Sequence, residues 1–462
     1  MGEALQYRSQ FRLPFNQSVH IVASNDKLSE DPGALLLRRV ATSLGLDTLA
    51  TKHLVDARDP DTITYSLVTL MRTAVLLIAQ GWNDLDDADR LREDPLFRIA
   101  VSDRRGATAA DQDLASQPTM SRLVRMLSEA GNLRGLHALV REFALLDYWR
   151  TFGHRKELII DIDSFPREAH GYQEGAVYNG HYHETCFHPI VAFADGHVLD
   201  ARMRPGNAHT ADDALDFLAP LLQGTRHFCD RLWVRMDAGY AADDIMRALE
   251  EQDVRFVARI KNNSVIKGLA ASWAAGVRAA WDAAPSETLR EALTELTYQA
   301  GSWDAPRRIV AVLVERCDRD GELFDNLFFL VTNVSVEEEG AARLLDRYRQ
   351  RGRAENHIGE LVNVVATKVS PHAIVANEVV LLLGLLAYNL MHHVRLRVSR
   401  VLRQGLSLQL LRERFLKAST RIVRHARRVE VRIGSAKVEA WRVLTEAFAL
   451  PDDFMAKGGA AA

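Results

Sequence analysis

Residues 157–163 read ELIIDID, an apolar run that ends in acidic residues. The run predicts a β-strand. Because side chains alternate between the two faces of a strand, Asp161 and Asp163 are expected to point the same way. Two further apolar runs follow a loop rich in Gly, His and Tyr: FHPIVAFAD at 187–195 and HVLDARM at 197–203, with a turn at Gly196. The three runs together predict three adjacent strands.

The chain then alternates between strand and helix patterns. RLWVRMD (231–237) and VRFVARI (254–260) predict strands, and residues 209–223 and 241–252 predict helices. This alternation is typical of a mixed sheet with helices packed on it, so the predicted fold class is α/β.

Changes in the pattern divide the chain into five predicted regions. Residues 1–150 carry helical spacing, so we expect a helical region there. Its stretch 116–140 reads as helix, Gly-containing turn and helix, which fits either a DNA-binding helix-turn-helix or a plain helical hairpin. Residues 151–261 form the first part of the α/β core and residues 336–395 its second part. A β-rich insertion at 262–335 separates the two parts, and residues 396–462 form a basic helical tail.

Composition excludes several classes of protein. The chain has 462 residues, of which 47% are hydrophobic and 26% charged, which is typical of a globular protein and not of a fibrous or disordered one. Its three cysteines form no CxxC pair, which argues against a disulfide framework or a cysteine zinc site. We expect a cytoplasmic protein without a signal peptide, and we interpret the apolar stretch 379–391 as a buried helix.

Further acidic residues follow the strand and helix patterns. Asp237 ends the run RLWVRMD, at the edge where open α/β sheets bind ligands. In YRQRGRAENHIGELV, Tyr348, Arg351 and Glu355 are spaced to share one stripe of a helix. Each acid could instead be a turn, capping or surface ion-pair residue. If Asp163, Asp237 and Glu355 converge, divalent cations such as Mg²⁺ or Mn²⁺ must offset their repulsion.

Several motifs together resemble the bacterial DDE transposases, most closely the insertion-sequence-1380 family. They are DLDDADRLREDP (84–95), DIDSF (161–165), RMDAGY (235–240), YRQRGRAENHIGEL (348–361) and ANEVVLLLGLLAYNLM (376–391). The resemblance covers nearly the whole chain and implies an RNase H-like catalytic domain. It further implies that Asp163, Asp237 and Glu355 are catalytic and bind two Mg²⁺ or Mn²⁺ ions. Asp161 is a further candidate metal ligand. Alternatively, it accepts a hydrogen bond at the strand end or from a metal ligand without binding the metal itself.

The resemblance also implies DNA as the partner, with the inverted repeats at the transposon ends and the target DNA bound by a homodimer. Tyr348 and Arg351 are expected to contact the DNA backbone, with Arg347 and Arg353 adding positive charge. Trp303, in the insertion, either stacks on a flipped base or packs in the protein interior. Residues 395–442 hold 14 Lys and Arg against 3 Glu, a net charge of +11, which favours a phosphate partner over a merely solvated surface.

Two positions depart from the family pattern. Val362 stands where the Tyr-Arg-Glu-Lys signature has its lysine, and Phe165 stands where related sequences have Thr. The main hypothesis is therefore a transposase that cuts and pastes DNA, with a non-catalytic or decayed transposase-derived DNA-binding protein as the alternative. A third hypothesis, a carboxylate-pair hydrolase acting on sugars, would not require the basic residues around Glu355.

Overall fold

The computed structural model describes residues 11–13, 15–21, 25–169, 171–283, 289–317, 323–365, 370–425 and 428–449. The strands β1 to β16 are Phe11–Leu13, Asn16–Ile21, Leu28–Ser29, Arg155–Ser164, Arg167–Glu168, Val177–Asn179, Glu184–Phe187, Ile190–Ala194, His197–Arg202, Cys229–Met236, Arg255–Ile260, Leu289–Tyr298, Arg307–Cys317, Leu323–Thr332, Thr420–Arg424 and Val429–Ile433. The helices α1 to α15 are Gly33–Leu44, Leu46–His53, Leu67–Gln80, Asp87–Arg90, Pro95–Val101, Gln117–Leu127, Ala130–Phe152, Ala214–Thr225, Asp243–Glu251, Ser264–Asp282, Ala341–Arg349, Gly352–Asn363, Ile374–Leu402, Leu408–Leu411 and Val438–Ala447.

A large mixed sheet confirms the predicted α/β class. Its strand order is β12-β13-β14-β11-β10-β4-β8-β9. The strand that contains ELIIDID, β4, lies in the middle, with β10 parallel on one side and β8 antiparallel on the other. The predicted trio of adjacent strands is present as β4, β8 and β9, and Gly196 has the positive φ that their tight turn requires.

The β-rich part of the predicted insertion is continuous with this sheet. After β11 the chain forms α10 and then the long antiparallel strands β12, β13 and β14. Strand β14 pairs antiparallel with β11, from Val257 opposite Thr332 to Ile260 opposite Phe329. Residues 289–332 therefore widen the central sheet at one edge.

The leading region is not entirely helical, contrary to our prediction. Strands β1 and β2 pair with each other, and β3 pairs with β15 from the tail. The predicted helix-turn-helix stretch is present as α6 and α7, but its turn lies at Ser128 and Glu129 and does not contain a glycine. Both Gly131 and Gly135 lie inside α7, which continues to Phe152 and leads directly into β4.

Helix α13 is the buried helix predicted around 379–391, and it is longer than that stretch. It is long and apolar enough to cross a membrane by composition, but 83% of its most apolar window is buried inside the protein. It packs on α3 of the leading region and on β9 of the sheet. The side chain of Asn389 accepts a hydrogen bond from the Val198 N–H and donates one to the Val198 carbonyl, which satisfies backbone groups of β9.

The tail was predicted to be helical, and the structure corrects this. Its middle is the hairpin β15–β16, added to β3 to form a three-stranded sheet. Several of its cations are paired with acids of the leading region: Lys417 with Asp31, Arg421 with Asp26 and Arg424 with Asp111. Part of the positive charge read from the sequence therefore stabilises the fold. Residues 450–462 of the predicted tail lie outside the described residues.

Candidate active site

Two of the predicted catalytic acids lie at the carboxyl ends of neighbouring parallel strands. Asp161 of β4 pairs with Arg235 of β10, so continuing this register by two residues places Asp237 beside Asp163. Asp237 begins the turn DAGY, in which its carboxylate accepts a hydrogen bond from the Gly239 N–H at 2.8 Å. The strand register thus explains why two acids separated in sequence by five strands and a helix share one edge of the sheet.

The third acid, Glu355, comes from the first turn of α12. The sequence predicted one continuous helical stripe through Tyr348, Arg351 and Glu355, but the helix is interrupted. Helix α11 ends at Arg349, α12 begins at Gly352, and Arg351 lies at the junction. From there its guanidinium donates to Asp163 at 2.5 Å and to Glu355 at 2.9 Å. Arg351 therefore links an acid of the sheet to an acid of the helix.

The pKa of Asp163 reflects its burial and the charges of the two other acids. Burial raises the pKa of the Asp163 carboxyl to about 6. Arg351 and the Ser164 N–H oppose this rise, and the negative charges of Asp237 and Glu355 add to it. A carboxyl with a raised pKa beside two other acids is typical of a functional site, because the fold holds like charges together at a cost.

Three residues that our sequence analysis did not select hold the strand ends in place. The Ser164 hydroxyl contacts the Tyr240 hydroxyl and accepts a hydrogen bond from Arg204 at 2.8 Å. Arg204 is fully buried, and it also donates to the carbonyls of His188 and Asp212. Sequence offered one signal, since Ser164 and Tyr240 lie in the motifs DIDSF and RMDAGY.

Asp161, the further candidate metal ligand, is paired elsewhere. Its two oxygens accept hydrogen bonds from Arg235 at 2.5 and 2.7 Å, and both side chains are buried. Burial raises the pKa of Asp161 and the Arg235 guanidinium opposes this effect. The structure thus supports the alternative in which Asp161 is a structural acceptor.

The predicted DNA-contacting residues of α11 and α12 differ in their surroundings. Arg347 stacks over Trp233 at 3.9 Å and pairs with Glu157 and Glu339, so it is engaged within the protein, contrary to the predicted role. Tyr348 is half-buried against the apolar cluster around Trp233. Arg353 is exposed, and in the described residues its side chain forms no ion pair.

Trp303 and the two positions that depart from the family pattern are all at least partly buried. Trp303 is 8% exposed and packs against Tyr298 and Arg307, which favours the packing alternative over stacking on a DNA base. Phe165 is 5% exposed. Val362 packs against the hydrophobic core of the leading helices and α13, and its carbonyl accepts a hydrogen bond from Arg167 at 3.4 Å.

The donor chemistry of the acids fits hard divalent cations, because carboxylate oxygens are the ligands that Mg²⁺ and Mn²⁺ prefer. In the described part of the chain, however, no three His, Cys, Asp or Glu side chains are close enough to one another to hold a metal ion. The Arg351 guanidinium bridges two of the acids instead.

Comparison with known families identifies the chain. The sequence profile of the family described as transposase DDE domain group 1 matches residues 11–450. The chain therefore belongs to the DDE transposases, and the match includes the leading region, the sheet and the tail. No curated protein matches the sequence.

Proposed function

We propose that this protein catalyses metal-dependent cut-and-paste transposition of an insertion sequence of the insertion-sequence-1380 type. The observation that carries the proposal is the contact of Arg351 with both Asp163 and Glu355, beside Asp237 at the same sheet edge. Family membership supports a DNA substrate and polynucleotidyl transfer. The strand order β9-β8-β4-β10-β11 supports an RNase H-like core.

Asp163, Asp237 and Glu355 are the residues that would hold two Mg²⁺ or Mn²⁺ ions. When bound, such ions activate a nucleophile and stabilise the leaving oxygen of a phosphodiester. The charge of Asp163 interacts with both other acids, so Asp163 is the best candidate to share both ions. Its neighbours Ser164, Tyr240 and Arg204 would keep the strand end rigid.

The role of Arg351 would change when metal and DNA bind. Its guanidinium offsets the acids in the structure described here. Once cations offset those acids, its planar donors can bind phosphate oxygens. Exposed Arg353 and half-buried Tyr348 lie in the same stretch and would contact the same DNA strand. We place this reaction in the cytoplasm, on the paired ends of an element held by a homodimer.

The test is strand cleavage of DNA that carries the element's terminal inverted repeats, in the presence of Mg²⁺. Wild-type protein should cut this DNA, and Asp163→Asn, Asp237→Asn and Glu355→Gln should each reduce cutting by roughly 10³-fold or more, because each removes a metal ligand. Arg226→Gln, an exposed change away from the acids, is the matched control. Equal cutting by the wild type and all three acid variants would rule the proposal out.

A decayed, non-catalytic DNA-binding protein is the second candidate, and Val362 favours it. A valine packed on the core at the signature lysine position offers no cation to the DNA. Binding of terminal-repeat DNA in a gel-shift experiment without cleavage in either Mg²⁺ or Mn²⁺ would select this candidate.

A further inference from the structure

A small basic pocket lies where the C-terminal ends of α1, α7 and α13 meet. Its volume is about 250 Å³. Arg150 comes from α7, and Arg397 and Arg400, three residues apart, come from α13. The remaining lining residues are Ser43, Leu44, Thr151, His393 and Leu396, so no carboxylate faces the pocket among its described lining residues.

The three arginines differ from many other cations of this protein, which are paired with acids. Arg395, in the same helix, is paired with Glu360, and tail residues such as Arg421 and Arg424 are paired with acids of the leading region. By contrast, within the described parts of the chain neither Arg150, Arg397 nor Arg400 forms an ion pair. No carboxylate of the described residues pairs with these guanidinium groups, and only the partial negative charge at the three helix C-terminal ends offsets them.

Arg397 is held in place by hydrogen bonds that connect it through His393 to a buried aspartate. Asp147, fully buried, accepts a hydrogen bond from His393 Nδ1 at 2.6 Å, and Arg397 Nε donates to His393 Nε2 at 3.0 Å. Because Arg397 donates to Nε2, the imidazole must carry its proton on Nδ1. A second bond, from Arg150 to the Ser43 carbonyl at 2.9 Å, orients another guanidinium. Such preorganisation is expected of a binding site and is not needed by a solvated arginine.

The pocket is remote from the candidate active site. Arg150 belongs to the last turn of α7, just before β4 begins at Arg155, whereas Asp163 is at the opposite end of β4. At 3.3 Å per residue, the strand separates its first residue, Arg155, from Asp163 by about 25 Å. The three arginines therefore do not belong to the acid cluster.

We infer that this pocket binds a phosphate group of the DNA backbone, at a contact separate from the bond that is cut. The inference rests on the proposed function, which supplies DNA as the ligand. Guanidinium groups match phosphate oxygens in shape and charge. Among the described lining residues there is no Phe, Tyr or Trp, and the nearby Phe448 ring already lies beneath Arg397, so the pocket fits the backbone and not a nucleobase.

The experiment measures how the affinity for terminal-repeat duplex DNA depends on salt, by fluorescence anisotropy on the full chain. Removing one phosphate interaction makes the slope of log affinity against log salt shallower by about 0.9. The triple variant Arg150→Gln/Arg397→Gln/Arg400→Gln should show a shallower slope by that amount or more. Because Arg150 also holds the Ser43 carbonyl, the double variant Arg397→Gln/Arg400→Gln is measured in parallel, and thermal melting checks that both variants fold.

The matched control is Arg226→Gln/Arg231→Gln/Arg247→Gln, which removes the same charge from exposed positions elsewhere. The control should keep the wild-type slope. An unchanged slope in both pocket variants, or an equal change in pocket and control variants, would overturn the inference. Binding of inorganic phosphate that the pocket variants abolish but that does not compete with DNA would also overturn it, since the pocket would then serve a free anion.

Failure of this inference can be told apart from failure of the proposed function. If the wild type cuts terminal-repeat DNA but the pocket variants keep its slope, only the pocket assignment is wrong. If the wild type neither binds nor cuts such DNA, the proposed function is wrong and the pocket loses its ligand.

Discussion

At the scale of single residues, Asp161 and Asp163 lie two positions apart but differ in their surroundings and roles. Asp161 is bound by buried Arg235, while Asp163 faces Arg351 and two other acids. Removing one partner of a buried ion pair leaves an uncompensated charge, so Asp161→Ala should lower the free energy of unfolding by about 3–5 kcal/mol. Asp163→Ala should lower it much less, because it also removes repulsion from Asp237 and Glu355. Denaturant unfolding compares the two, and equal losses would contradict the assignment.

At the scale of elements, helix α7 packs against the end of α2 through a glycine. A side-chain carbon on Gly135 would lie 2.1 Å from the His53 carbonyl oxygen, whereas one on Gly131 would have no atom of the described residues within 4 Å. Gly135→Ala should therefore destabilise the protein by about 1–3 kcal/mol through overpacking. Gly131→Ala, in the same helix, should be neutral or stabilise by up to about 1 kcal/mol because alanine favours helix. Thermal melting of the two variants checks this, and similar melting temperatures would refute the close contact.

At the scale of the whole molecule, one histidine joins the leading region, the sheet and the central helix. His137 of α7 contacts Asp200 of β9 at 2.7 Å and Glu378 of α13 at 3.2 Å. Burial alone would lower its pKa, but the two carboxylates raise it to about 9. The raised pKa means that the protonated imidazole favours the folded state. This contribution is complete below the unfolded value of about 6.5 and is lost as pH rises through about 9.

The corresponding loss of stability between pH 6.5 and 9.5 is about 3 kcal/mol, from the difference between the folded and unfolded pKa values. His137→Gln should be less stable than the wild type at pH 6.5 and should show a flatter dependence over this range. Denaturant unfolding at several pH values measures both curves. Parallel curves for the two proteins would show that His137 is not the titrating group.

The sequence predicted some features of the fold and the site and missed others, depending on whether their signals are local. Apolar runs and period-two alternation were sufficient to predict β4, β8, β9, β10 and β11, because those signals are local. The acceptor role of Asp161 was one of two alternatives, and its partner Arg235 was not predictable, because it depends on which residue of β10 faces Asp161 across the strand pair. The hairpin β15–β16 was also missed, since its strand partner β3 lies near the other end of the chain. Likewise, the contacts of Arg347 with Trp233 and Glu157 were not predictable, because both partners are distant in sequence.

The pairing of β3 with β15 can form only late in the synthesis of the chain. Asp31, which follows β3, pairs with Lys417, which is synthesised 386 residues later. Strand β3 pairs with a strand that begins at Thr420. A ribosome that adds about 5–20 residues each second needs roughly 20–80 s to cover that distance. Throughout this interval Asp31, which is buried in the folded protein, lacks its ion-pair partner Lys417, and β3 lacks β15, the strand with which it pairs. The leading region can therefore be completed only after nearly all of the polypeptide has emerged.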